Sequence, residues 1–93
     1  MKVSMQRDVD IILERLRSEY PEITVEQLKV KFPDADDDGI WFIRHPRTPF
    51  EVQIESTEGM CPFLIETDEH DQRKEGRSVD EVVDDVKQWL HLS

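Results

Sequence analysis

Apolar residues at Val9, Ile12, Leu13 and Leu16 follow the i, i+3, i+4, i+7 spacing of one helix face, with Asp8, Asp10, Glu14, Arg15 and Arg17 between them. The spacing predicts an amphipathic helix from about Met5 to Glu19, stopped by Pro21. Val79, Val82, Val83, Val86, Trp89 and Leu90 form a second stripe, and Asp80, Glu81, Asp84, Asp85 and Lys87 lie off it. Ser78 and Glu81 have capping-box spacing, in which the hydroxyl accepts from one orphan amide and the carboxylate reaches back to another. An acidic first turn, with Lys87 and His91 near the end, also complements the helix dipole.

Between the two helices the period changes to two. Leu28, Val30 and Phe32 alternate with Lys29 and Lys31, a run from Ile40 to His45 follows, and Phe50, Val52 and Ile54 alternate with Glu51, Gln53 and Glu55. Cys61 to Thr67 is a fourth run. Short connections rich in Pro, Gly, Asp and Ser separate the runs, so neighbouring strands are expected to pair antiparallel. The expected fold class is α+β: a two-layer sandwich in which an antiparallel meander of three or four strands carries the N-terminal and C-terminal helices on one face. Residues 1–93 are expected to form one domain, because so short a chain can bury only one core.

Turn lengths suggest a register. A connection of Pro46 to Pro49 sets Ile43 opposite Val52 and Arg44 opposite Glu51; it buries Trp41 and Ile43 and leaves Ile40 and Phe42 on the open face beside Gln53 and Leu64. A slip of one residue would expose Trp41 and Ile43 instead. A turn of Thr57 to Met60 would set Ser56 opposite Cys61, Ile54 opposite Phe63, Val52 opposite Ile65 and Glu51 opposite Glu66. The last is a like-charge pair that needs a cation beside it, and Arg44 would supply one in a row Arg44, Glu51, Glu66.

Charge narrows the partners. The chain has 12 Lys+Arg against 22 Asp+Glu, a formal net charge of −10, which argues against a nucleic-acid backbone or an anionic membrane. Between Arg47 and Arg73 there is no basic residue, whereas Glu51, Glu55, Glu58, Glu66, Asp68, Glu69 and Asp71 all lie there. Such a balance serves solubility, and it also suits a surface that mimics polyanions toward a basic protein. With Cys61 the only cysteine, no intrachain disulfide can form. Neither a signal-peptide apolar run near Met1 to Asp10 nor a membrane-span pattern is evident, so the expected location is the cytoplasm.

Several constellations bear on chemistry. Asp34-Ala35-Asp36-Asp37-Asp38-Gly39 matches the first six positions of a calcium loop, with Asp34, Asp36 and Asp38 as weak metal ligands. The twelfth position falls on His45, which cannot supply a bidentate carboxylate, so a solvated turn is the competing reading. Cys61 falls on the expected buried face and reads as a packed thiol rather than a nucleophile. His45, His70 and His91 suggest no shared metal site. Glu51, Glu55 and Glu66 could form an acid–base pair only in a cleft, which a flat sheet does not offer, so no enzyme is expected.

The stretch Val52-Gln53-Ile54-Glu55-Ser56 and Gly59-Met60-Cys61-Pro62-Phe63-Leu64-Ile65-Glu66, followed by Ser78-Val79-Asp80-Glu81-Val82-Val83, resembles small acidic single-domain bacterial proteins of uncharacterised function. It is also similar, more loosely, to the acidic immunity proteins that neutralise toxins. The resemblance implies a helix, meander, helix protein without catalytic residues and transfers no site. The functional expectation is therefore a non-enzymatic module that docks a basic protein partner through the open sheet face, with Phe42, Glu51, Gln53, Glu55, Leu64 and Glu66 in contact. A homodimer formed through the same face or a strand edge is the alternative, and weak calcium binding through Asp34 to Gly39 is a further one.

Overall fold

The computed structural model describes residues 6–28 and 39–92. In chain order the elements are α1 (Asp8–Glu19), β1 (Thr24–Gln27), β2 (Ile40–Arg44), β3 (Glu51–Glu55), β4 (Phe63–Thr67), β5 (His70–Gly76) and α2 (Val79–Trp89). The strands form one open antiparallel sheet in the order β1-β2-β3-β4-β5. The fold is thus α+β with five strands, not three or four. Val9, Ile12, Leu13 and Leu16 from α1 and Val82, Val83 and Val86 from α2 join Trp41, Ile43, Val52, Ile54, Phe63 and Ile65 in a single core. The side chains of that core that come from the sheet all have one parity, and the other parity lies on the opposite side of the sheet.

Five strands replace four because of β5, which hydrophobic periodicity cannot reveal: only Gly76 at its end is buried. The first strand also differs from expectation. It is Thr24–Gln27 that pairs with β2, and Leu28 only extends the ladder by donating its N–H to the Ile40 carbonyl at 2.9 Å. Lys29 to Phe32 of the expected strand Leu28 to Phe32 lie outside the described residues, as does Met5 at the expected start of α1.

The β2–β3 register is the one expected, with Ile43 opposite Val52 and Arg44 opposite Glu51. The β3–β4 register is displaced by two residues: Ile54 stands opposite Ile65 rather than Phe63, Val52 opposite Thr67, and Gln53 rather than Glu51 opposite Glu66. The cause is the start of α1. Val9 N–H donates to the Gly59 carbonyl at 2.9 Å, and Cys61 N–H donates to the Asp8 carboxylate at 2.9 Å. Residues 56–62 are drawn out along the helix start, where Gly59 satisfies one orphan N–H and Asp8 anchors Cys61, and the connection is longer than a four-residue turn. Gly59, at φ +72°, supplies the left-handed bend in that connection. Because the displacement is even, every residue keeps its expected face.

The two helices are joined by polar contacts. Arg15 pairs with Asp80, Lys87 Nζ lies 3.0 Å from Glu19 Oε1, and the Tyr20 hydroxyl donates to the Leu92 carbonyl at 2.9 Å. Glu19 raises the Lys87 ammonium above its ordinary value, chiefly through that hydrogen bond. At α2, Ser78 Oγ accepts from Glu81 N–H at 3.1 Å, the serine half of the expected capping box. At α1, the Asp10 carboxylate accepts from the Arg7 N–H at 3.1 Å. No helix among the described residues is long and apolar enough to cross a membrane.

Candidate interaction surface

Alternation along the strands assembles the outer face. One row runs Glu26, Phe42, Gln53, Glu66, Arg73 across the five strands, and the next runs Ile40, Glu55, Leu64, Glu75. All six residues expected to contact a partner, Phe42, Glu51, Gln53, Glu55, Leu64 and Glu66, lie on this face, and all are half-buried. Ile40, Phe42 and Leu64 give it an apolar middle.

The electrostatics differ from the expected row. Arg44 does reach Glu51, Nε to Oε2 at 2.5 Å, and this hydrogen bond is the main reason its guanidinium is raised. Glu66 is not part of that row. It pairs across β4–β5 with Arg73, Nε to Oε1 at 3.0 Å, and Arg77 binds Glu75 at 3.0 Å. The arginines lie far more open to solvent than the carboxylates they cover, Arg44 at 67% against 23% for Glu51. Thus three carboxylates are screened by their own chain. Glu26 and Glu55 have no ion-pair partner among the described residues. Sequence reading missed Glu26, Arg73 and Glu75, since all three sit on strands that lack an apolar pattern.

Several depressions border the face, and two of them bear on its charged groups. One of ≈ 410 Å³ follows the β3–β4 connection and is bounded by Glu55, Glu58, Met60, Pro62, Leu64 and Glu75. The other, ≈ 240 Å³, lies around Thr24, Glu26, Phe42, Arg44 and Glu51. Met60 is 42% exposed at the first of these, unusual for a large apolar side chain.

Other candidates fall elsewhere. Cys61 is half-buried against the core, and burial followed by the Asp8 carboxylate pushes its thiol up to about 11, the reverse of what a nucleophile needs. His45 is buried, its Nδ1 accepting from Arg47 N–H at 3.0 Å, while His91 Nε2 lies 2.9 Å from Glu69 Oε1. No group of three or more His, Cys, Asp or Glu among the described residues could hold a metal ion. Asp34, Asp36 and Asp38 lie outside the described residues. Gly39 has a reason independent of any ion: a Cβ there would come within 2.1 Å of the Ser56 carbonyl oxygen, where β2 and β3 begin to pair.

No known protein family, curated protein or solved structure matches the chain.

Proposed function

We propose that the chain is a non-enzymatic binding module, immunity-like in character, that docks a basic protein partner in the cytoplasm. In this reading both helices form one layer and the sheet the other, and the outer face of the sheet is the docking surface. The observation that carries it is the half-buried apolar set Ile40, Phe42 and Leu64 beside the carboxylates of Glu26 and Glu55, which have no ion-pair partner among the described residues, while Glu51 and Glu66 are held by Arg44 and Arg73. A surface of this kind steers a cationic partner by long-range attraction and holds it by desolvating the apolar middle. The net charge of −10 strengthens the steering.

Two features of β5 weigh against self-association by strand addition. Its register against β4 shifts between Glu66 and Thr67, and Lys74 points inward to Asp85. Irregular pairing and inward charge both protect a sheet edge from a second copy.

The test pairs an outer-face variant with a measured complex. Partners recovered by affinity capture are purified and titrated by calorimetry against the wild type and against Phe42→Asp combined with Glu55→Lys. Binding should weaken by at least about tenfold in the variant, and wild-type association should slow as salt rises. Equal affinity for both proteins would refute the reading.

A further inference from the structure

We propose that the groove along the β3–β4 connection receives an arginine or lysine side chain of the partner, presented next to an apolar one; this rests on the open-face reading above and locates its anchor. The groove is ≈ 410 Å³, and apolar and acidic side chains meet along it beside the hydroxyls of Ser56 and Thr57. Met60, Pro62 and Leu64 offer apolar surface, and Glu55, Glu58 and Glu75 offer carboxylates, with no basic residue among those that line it. An aliphatic stem with a cationic head matches both, since such side chains lie along apolar surface while the charge reaches a carboxylate.

The molecule already shows one such pairing at the rim. Arg77 Nε lies 3.0 Å from Glu75 Oε1, so a guanidinium is accommodated beside the groove by the chain's own residue. Glu55 and Glu58 have no ion pair among the described residues and remain open to a cation from outside. The groove is continuous with the outer face through Glu55 and Leu64, so one partner can engage both. The β3–β4 connection along which it runs is held in place, because Val9 and Asp8 of α1 bind Gly59 and Cys61 at 2.9 Å each. A positioned groove loses little conformational freedom on binding.

The experiment uses the whole isotope-labelled chain and an acetylated, amidated peptide Gly-Leu-Arg-Leu-Gly as probe, with a citrulline peptide as the uncharged control. Amide shifts should centre on Glu55 to Leu64 and Glu75 and should saturate. The citrulline peptide and the Glu55→Gln, Glu58→Gln double variant should each bind about tenfold more weakly. Equal binding of the two peptides would overturn the inference, because charge would then play no part. Shifts centred on Glu26, Phe42 and Gln53 would overturn it while leaving the open-face reading intact, and shifts at neither place would count against both.

Discussion

Lys74 reaches from β5 toward α2 and places its Nζ 2.7 Å from Asp85 Oδ1, while the second oxygen of that carboxylate is buried without a hydrogen-bond partner among the described residues. Asp85 is 6% exposed in its side chain, so Lys74 supplies the compensation that water would otherwise give.

Lys74→Met should therefore destabilise the fold by about 1–3 kcal/mol, the cost of leaving a buried acceptor unmatched. Adding Asp85→Leu should recover most of that loss, since an apolar pair can replace a buried ion pair with little penalty. Urea denaturation of the two single variants and the double variant measures the coupling; additive effects would show that the pair does not act as a unit. The pairing also raises Lys74 above its ordinary 10.5, first through the hydrogen bond to Asp85. A cation whose folded value is raised contributes fully below its unfolded value and less as pH climbs through the folded one. The gap between wild type and Lys74→Met should accordingly hold steady from neutral pH up to 10.5 and narrow above it.

Cys61 provides a second pH dependence with a different chemical origin. Burial and the Asp8 carboxylate raise its thiol from 9.0 to about 11, so the folded state favours the neutral form. Below 9.0 both states hold the proton and nothing changes; between 9.0 and about 11 the unfolded chain loses it more readily, and stability falls. Cys61→Ala should remove that part of the alkaline decline. Thiolate absorbance in the folded protein should titrate near 11 and shift downward in Asp8→Asn, and an ordinary titration in wild type would refute the packed-thiol account.

Gly39→Ala tests the backbone approach between β2 and β3. Ser56 N–H donates to the Gly39 carbonyl at 2.8 Å, and an added Cβ would stand 2.1 Å from Ser56 O. Relief requires the ladder to open where it starts, and the expected cost is about 1–3 kcal/mol by thermal or urea unfolding. A neutral substitution would return the glycine to a role in the Asp34 to Asp38 stretch.

How far these features could be foreseen depends on whether they leave a mark in hydrophobic periodicity. The stripe Val82, Val83, Val86, Leu90 marks α2 because that face is buried against the sheet, and Trp41 and Ile43 are identified by the alternation of β2. Phe42, Gln53 and Leu64 could be placed on the outer face despite the register error, since a displacement of two preserves parity. β1 and β5 left no such mark: they carry almost no buried apolar side chains, β5 even turning Lys74 inward, and only tertiary pairing holds them extended. Hence the carboxylates of Glu26 and Glu75 and the screening of Glu66 by Arg73 were hidden, and the outer face looked more anionic than it is.

The end of α2 gives the last prediction. His91 has φ 58°, a left-handed conformation that costs a side-chain-bearing residue about 1–2 kcal/mol. The geometry is that of a Schellman stop: Leu92 N–H donates to the Lys87 carbonyl at 2.9 Å and His91 N–H to the Gln88 carbonyl at 3.1 Å. Leu92 is thereby turned into the core, where its carbonyl accepts from Tyr20. Glycine would satisfy this backbone without strain, yet the imidazole stands 2.9 Å from Glu69 Oε1 and its ring centre lies 5.4 Å from that of Phe50. Two replacements separate the backbone effect from the side-chain effect. His91→Ala keeps the strain and loses both contacts; His91→Gly loses the same contacts and relieves the strain. His91→Gly should therefore be more stable than His91→Ala by about 1 kcal/mol in urea denaturation. If alanine proved as stable as glycine, the left-handed stop would not be what ends α2.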